Sequence, residues 1–254
     1  MRYFPIFVDL DNRPVTVVGG TEEALRKVRL LLKTGAVINV IAPALHEELA
    51  AEKRVNWIAR GYHAGLLEGA ALVYSADASL NARVAADARA LGIPVNAVDN
   101  PDISSFIVPS IVDRDPVVVA IGTEGTAPIL GQGLRARIDA MLPQALGELA
   151  TAAAALRDRV AENIPPGSRR RGFWYRFFFG DVREAFLAGE SCNYLAGVEN
   201  LFAAEAQAPQ GRVAFVSLGS DDPELLTIKA QRKLQEADVI VHDHAVAQAI
   251  LELA

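Results

Sequence analysis

The first hundred residues repeat one alternation of pattern. Short β-branched runs, such as Val15-Thr16-Val17-Val18 and Val37-Ile38-Asn39-Val40-Ile41, are separated by stretches whose apolar residues recur every three or four positions. Leu25, Val28, Leu31 and Leu32 have that spacing and predict an amphipathic helix over 22–34, closed by Lys33-Thr34-Gly35. Further strands are predicted at 36–41, 55–59, 70–75 and 93–98, with an alanine-rich helix over 79–91. Strand and helix in alternation imply an α/β class, a Rossmann-like parallel sheet with helices on both faces.

Near residue 100 the pattern changes. Two β-rich runs, 106–113 and 117–122, flank Arg114-Asp115-Pro116 and predict an antiparallel hairpin. Helices are expected over 127–141 and 143–163, then a break at Pro165-Pro166-Gly167-Ser168, then a helical stretch dense in arginine and aromatic residues, 169–179. A second break, 206–211, precedes a predicted strand at 212–217. These shifts divide the chain into 1–104, 105–147, 148–208 and 209–254. The hairpin strands have no evident third partner, so their edges need cover, and a homodimer is expected.

Composition narrows the function classes. A net charge of -6 argues against nucleic acid as a partner. The single Cys192 excludes an internal disulfide and suits a reducing, cytoplasmic setting. No signal-peptide core opens the chain, and no apolar run reaches the ~20 residues that a membrane span needs. His46, His63, His242 and His244 with one cysteine make no zinc-type ligand cluster, so no resident metal is expected. His242 and His244 flank Asp243 on a predicted strand end, where a surface role is the simpler reading.

The candidate chemistry begins where the first strand ends. Gly19-Gly20-Thr21-Glu22-Glu23-Ala24 joins that strand to a helix, the context in which a dinucleotide pyrophosphate meets free backbone N–H groups. The fingerprint G-x-G-x-x-G/A fits at Gly19 and Ala24, but Thr21 takes the place of its second glycine. A plain tight turn is the alternative. Dinucleotide sites often carry an acid at the end of the second strand, for the ribose; this chain has Ile41-Ala42-Pro43, which leaves NAD and NADP undistinguished. Asp99 ends the fifth predicted strand, at the edge where open α/β sheets bind ligands. A carboxylate there is either a general base or, with Asn100-Pro101-Asp102 following, a turn former.

Taken in order, Val17-Val18-Gly19-Gly20, Arg26-Lys27-Val28-Arg29-Leu30-Leu31-Leu32, Asn96-Ala97-Val98-Asp99, Ser105-Phe106-Ile107-Val108-Pro109-Ser110-Ile111-Val112-Asp113-Arg114 and Gly125-Thr126-Ala127-Pro128-Ile129-Leu130 resemble the N-terminal module of the siroheme synthase family. The resemblance implies NAD-dependent oxidation of precorrin-2 to sirohydrochlorin, followed by insertion of Fe(II), a substrate, to give siroheme. It makes 1–104 the NAD-binding domain, 105–147 a dimerisation segment and 148–208 a helical tail completing the substrate cleft. It assigns catalysis to Asp99 and cofactor contacts to Gly19, Gly20, Thr21, Glu22, Glu23, Ala24, Pro43, Ala44, Ser75 and Asn96. It places the carboxylate-rich tetrapyrrole near Thr123 and Thr126. Arg114, Arg135, Arg137 and Arg169–Arg171 are candidates for pairing its carboxylates, or a solvated face. The aromatic run 173–179 would cover the macrocycle or pack a dimer core.

Departures from the family pattern are Thr21, Glu124 and Tyr74, the last adding bulk near the expected nicotinamide half. If Thr21 and Tyr74 spoil the dinucleotide site, the chain would be a chelatase alone. A non-catalytic dinucleotide-sensing module is the alternative of a different class. Residues 209–254 resemble the opening of a uroporphyrinogen-III methyltransferase domain, with its glycine-rich loop degraded to Ser217-Leu218-Gly219-Ser220-Asp221-Asp222 and a second strand expected from Asp238. The first strands of a domain cannot bury a core alone, so no methyltransferase activity is expected.

Overall fold

The computed structural model describes residues 1–206 and 213–254. The break at 206–211 and the boundary at 208/209 therefore fall on or beside residues outside the description. The chain divides into two compact units, Met1–Asp113 with Val118–Leu142, and Arg114–Val117 with Pro143–Ala254.

The first unit is built on five parallel strands. These are β1 (Pro14–Val18), β2 (Val37–Ile41), β3 (Val55–Ala59), β4 (Leu72–Ser75) and β5 (Val95–Ala97), in the order β3-β2-β1-β4-β5. Between them lie α1 (Glu22–Leu31), α2 (Glu47–Ala51), a single 3₁₀ turn (Ala64–Leu67) and α3 (Asn81–Ala90). Side-chain alternation in the strands serves both faces. Val15, Val17, Ile38 and Val40 pack with Ala24, Leu25, Val28 and Leu31 of α1 and Leu49 of α2. Val18, Ile41, Val73 and Val95 pack on the other face with Leu67 and with Val84, Ala85 and Ala88 of α3. Sheets covered on both faces require nearly continuous apolar strands, which is why these read as unbroken runs. Each such fully buried valine or leucine contributes roughly 1.5–3 kcal/mol.

Helix α1 stops three residues short of the predicted 34. The Thr34 hydroxyl donates to the Leu31 carbonyl, and the Arg54 guanidinium donates to the Leu32 and Thr34 carbonyls, so the free carbonyls of the helix end find donors without another helical turn. The chain winds from β1 outward through β2 and β3, then returns to lay β4 on the opposite flank of β1. That reversal opens a crevice at the carboxyl ends of β1 and β4. The unit also holds most of the two-stranded sheet of β6 (Ser110–Arg114) and β7 (Val117–Ile121), the predicted hairpin. It ends with α4 (Pro128–Met141), whose proline occupies the first turn, where no N–H is needed.

The second unit is helical: α5 (Leu146–Asn163), α6 (Ser168–Phe179), α7 (Asp181–Leu187), α8 (Ser191–Ala206), α9 (Ile228–Glu236) and α10 (Gln248–Leu251). Phe173 and Phe177 of α6 are wholly buried against Leu149, Ala153, Val160, Ile164 and Val198. The aromatic run thus gives Phe173, Trp174, Phe177 and Phe178 to the core of its own unit, while Tyr175 and Phe179 stay exposed. Three of its arginines are braces within the unit: Arg169 and Arg176 both pair with Glu205, and Arg170 donates to the Ile164 carbonyl; Arg171 is exposed and pairs with Asp238.

The two strands expected in the last fifty residues do not form. Positions 213–217 and 238–242 carry no strand, and Val213, Phe215 and Val241 are 84%, 98% and 93% exposed. The alternating pattern is there, but a strand is stable only with a neighbour to share its hydrogen bonds, and among the described residues none lies beside them.

Candidate functional site

A cavity of about 610 Å³ occupies the crevice. Its wall comes from four loops: Gly19, Gly20, Thr21 and Glu23 after β1, Pro43–His46 after β2, Ala76, Asp77 and Ala78 with Asn81 after β4, and Val98 and Asp99 after β5. Sequence separation is large, yet every loop leaves the carboxyl end of a parallel strand, so the topology alone gathers them.

The glycine pair is fixed by close approach. Gly19 has φ +126°, and a Cβ there would lie 2.8 Å from the Ala76 carbonyl. A Cβ on Gly20 would lie 2.0 Å from the Ala44 oxygen. The Gly20 carbonyl accepts from the His46 N–H at 2.6 Å, and the Gly19 N–H donates to Ile41. These contacts clamp the turn between its neighbours, so its backbone lines the cavity with no side chain over it.

Thr21 is the N-cap residue of α1, but its hydroxyl does not cap the helix; it donates to the Glu23 carboxylate at 2.6 Å. That bond, then the N–H of Glu23 itself, holds the Glu23 carboxyl below its ordinary range. A ten-residue helix thus opens into the cavity with no bond from its cap side chain, and its own Glu23 carboxylate meets the Glu23 N–H of the first turn. The cradle of close backbone and helix N-terminus fits a dinucleotide pyrophosphate.

Asp99 reaches the wall through strained backbone. Its φ is +58°, and the Asn100 N–H closes the turn onto the Ala97 carbonyl at 3.1 Å. A left-handed aspartate is uncommon, because Cβ then crowds the following peptide, and such strain concentrates at functional sites. Ser104 locks the turn from behind: its hydroxyl donates toward the Asn100 carbonyl and accepts from the Ala97 N–H. Lys27, on the same face of α1 as Glu23 and one turn further on, is half-buried. Burial pushes its ammonium pKa down, and the Asp99 carboxylate pulls it back up. Sequence reasoning passed over Lys27, since a lysine in a helix normally reads as solvated face.

The other candidates divide. Thr21, Glu23, Pro43 and Ala44 line the cavity with the glycines and Asp99. Glu22 stands beside it, its carboxylate 3.7 Å from His46 Nε2, and Ala24 is buried under α1. Ser75 lies behind the wall, wholly buried, donating to Asn81 at 2.6 Å; Asn81 in turn donates to the Val98 carbonyl. Asn96 is buried and donates to the Phe106 carbonyl. Tyr74 turns into the core under α1, edge-on to Phe106, where burial pushes its hydroxyl pKa up to about 12. Its bulk therefore does not enter the cavity. Thr126 caps a tight turn onto the Thr123 carbonyl, and Arg135 donates to the Ile111 carbonyl; none of these three lines the cavity. Arg114 is buried in the second unit and donates to the Pro143 carbonyl. His46 and Asn81 are wall residues that the sequence did not single out for this site. No group of three or more metal-ligating side chains occurs among the described residues.

Comparison with known proteins follows this division. A family model described as "Putative NAD(P)-binding" matches residues 6–110, one for the sirohaem synthase dimerisation region matches 145–196, and one for tetrapyrrole (corrin/porphyrin) methylases matches 212–254. Siroheme synthase of Ectopseudomonas mendocina is 43% identical over 256 residues, covering all of this chain and 55% of the relative. That of Nitrosomonas europaea is 42% identical over 262 residues with the same coverage. Over its whole length the chain is similar to siroheme synthases. It spans about half the length of the curated relatives it matches, 55% for these two. Among solved structures, SirC, a precorrin-2 dehydrogenase, superposes with a TM-score of 0.57 at 18% identity, over 78% of this chain and all of SirC. At that identity the likeness concerns the fold. The order of the three matched regions is that expected from the siroheme synthase resemblance, with the methylase match confined to the last 43 residues, 212–254.

Proposed function

We propose that this chain oxidises precorrin-2 to sirohydrochlorin with NAD as acceptor and then promotes insertion of Fe(II) to give siroheme. The observation that carries this reading is the meeting of Asp99 and the glycine turn in one cavity wall. Siroheme synthases as relatives and a precorrin-2 dehydrogenase as structural neighbour support it.

NAD would be held by the backbone of Gly19–Gly20 and the opening turn of α1, and when bound it supplies the hydride acceptor. Removing hydride from the reduced macrocycle also releases a proton, and a carboxylate oxygen of Asp99 takes it. Iron insertion displaces protons from pyrrole nitrogens, and the same carboxylate can receive them. The iron is cargo: the macrocycle supplies its nitrogen ligands, and a strong protein site would compete with the product. The Lys27 ammonium places an opposite charge near the Asp99 carboxylate.

We further infer a homodimer in the cytoplasm. The match to a dimerisation region and the lone exposed Cys192 support this, and no helix among the described residues is long and apolar enough to cross a membrane. Anaerobic incubation with precorrin-2 and NAD is expected to raise NADH absorbance as sirohydrochlorin forms. Sirohydrochlorin with Fe(II) and no NAD is expected to give siroheme. Siroheme formation without any oxidation of precorrin-2 would reduce the activity to a chelatase.

A further inference from the structure

The second strand ends without the acid that commonly reads the ribose, and the structure shows what stands there. Three residues past Pro43, His46 begins α2 and lines the cavity. Its Nδ1 accepts from the Glu48 N–H at 3.2 Å, so the neutral ring must carry its proton on Nε2. Nε2 lies 3.7 Å from a Glu22 carboxylate oxygen. A donor and an acceptor therefore stand side by side at the end of β2, on different elements.

We propose that His46 and Glu22 together read the adenosine ribose and select NAD over NADP, with the selection weakening as His46 gains a proton. This rests on the dinucleotide reading above. An unmodified ribose offers hydroxyls that donate to Glu22 and accept from His46 Nε2–H. A 2′-phosphate brings negative charge into a ring of carboxylates. Glu22 and Glu23 face the region from α1, and Glu47 and Glu48 follow His46 on α2. Asp77 and Asp99 stand across the cavity. The nearby arginines are already engaged, Arg29 with Glu48 at 2.6 Å, Arg26 with Glu22 at 3.5 Å, and Arg60 stacked on Trp57 with its guanidinium donating to the Pro43 carbonyl, and the Lys27 ammonium faces Asp99. His46 is the one lining side chain that can be either neutral or a cation, and once charged it offsets part of the repulsion.

The test is direct binding of NAD and NADP to the whole chain, by calorimetry or by Trp57 fluorescence, at pH 8 and pH 5.5, with no substrate present. The wild type is expected to bind NAD at least about tenfold more tightly than NADP at pH 8, the effect of one repelled charge pair, and to narrow that ratio at least about threefold at pH 5.5. Protonation of the 2′-phosphate itself also narrows the ratio, and His46→Gln isolates that part, because glutamine keeps a donor but cannot charge. His46→Gln is expected to show the smaller pH effect, and Glu22→Gln a smaller ratio at pH 8. Equal affinities at pH 8, or the same pH effect in His46→Gln as in wild type, would overturn the proposal. If neither dinucleotide binds, the dinucleotide reading fails and this one with it; if NAD binds and the ratio ignores His46, only this one fails.

Discussion

Asp99 carries two demands on one side chain. From the sequence it could be read as a base or as a turn former, and the two readings looked exclusive. The structure joins them: the residue sits at the left-handed position of a turn that aims its carboxylate along the cavity wall. Replacement by alanine therefore mixes two effects, since alanine in this backbone costs roughly 1–2 kcal/mol whatever the chemistry. Asparagine separates them, because it tolerates the left-handed conformation and lacks the basic oxygen. Asp99→Asn is expected to melt within a degree or two of wild type while oxidation and iron insertion both fall by about 10²–10⁴-fold. Asp99→Gly should be at least as stable as Asp99→Ala and equally inactive. Rates for both reactions with the melting temperature, on the three variants, decide it: wild-type rates in Asp99→Asn would leave only the turn. At this scale the glycines and Asp99 were legible, because strand-end positions carry a topological address. His46, Asn81 and Lys27 were not, since loop approach and burial make them notable and neither is written in local spacing.

The elements were legible in proportion to how much of their stabilisation is local pattern plus a shared core. The five parallel strands and the helices α1 and α3 match their periodicity, because each strand except the largely exposed edge strand β3 packs into the shared core. The strands expected at 212–217 and from 238 had the pattern without the neighbours, and the described parts are irregular. Short α2 escaped notice because five residues are too few for a period to show. The turn between β1 and α1 is the informative case. Its glycines were read as the joint that brings helix N–H groups to a phosphate, and Gly20 also lies so close to its protein neighbours that a methyl group would overlap the Ala44 carbonyl. Gly20→Ala is thus a packing defect before it is a binding defect. It is expected to destabilise the nucleotide-free protein by about 1–3 kcal/mol, read as a lower denaturant midpoint. A normal midpoint combined with lost NAD binding would mean that the glycine serves the ligand alone.

At the scale of the whole molecule, apolar surface is distributed in a way that a solitary chain does not explain. In the first unit, Ile129, Leu130 and Met141 of α4 are 78%, 58% and 76% exposed on a helix that buries little else than Gly131. In the second, Tyr175 and Phe179 meet one turn apart on the outer side of α6, their rings tilted by 40° at 5.1 Å, with Leu195 exposed on α8. Phe173 and Phe177, their neighbours in sequence, are fully buried, so α6 divides its aromatics between the core of its unit and its surface. Exposed aromatic clusters on otherwise well-packed helices mark interaction surfaces, and this one falls inside the stretch matched by the dimerisation-region family, 145–196. A second copy of the chain is the occupant this favours. Sedimentation at micromolar concentration is expected to give a dimer, and Phe179→Asp to shift it toward monomer. The helices of that variant should still melt cooperatively, because Phe179 contributes nothing to the buried core of its unit. Anchoring aromatics at the centre of an interface typically carry ~2 kcal/mol or more each, enough to raise the dissociation constant by about thirtyfold or more. A wild-type protein that remains monomeric at every concentration would refute the dimer; a Phe179→Asp variant that dimerises as wild type does would move the interface away from α6, leaving the exposed face of α4 as the next surface to probe.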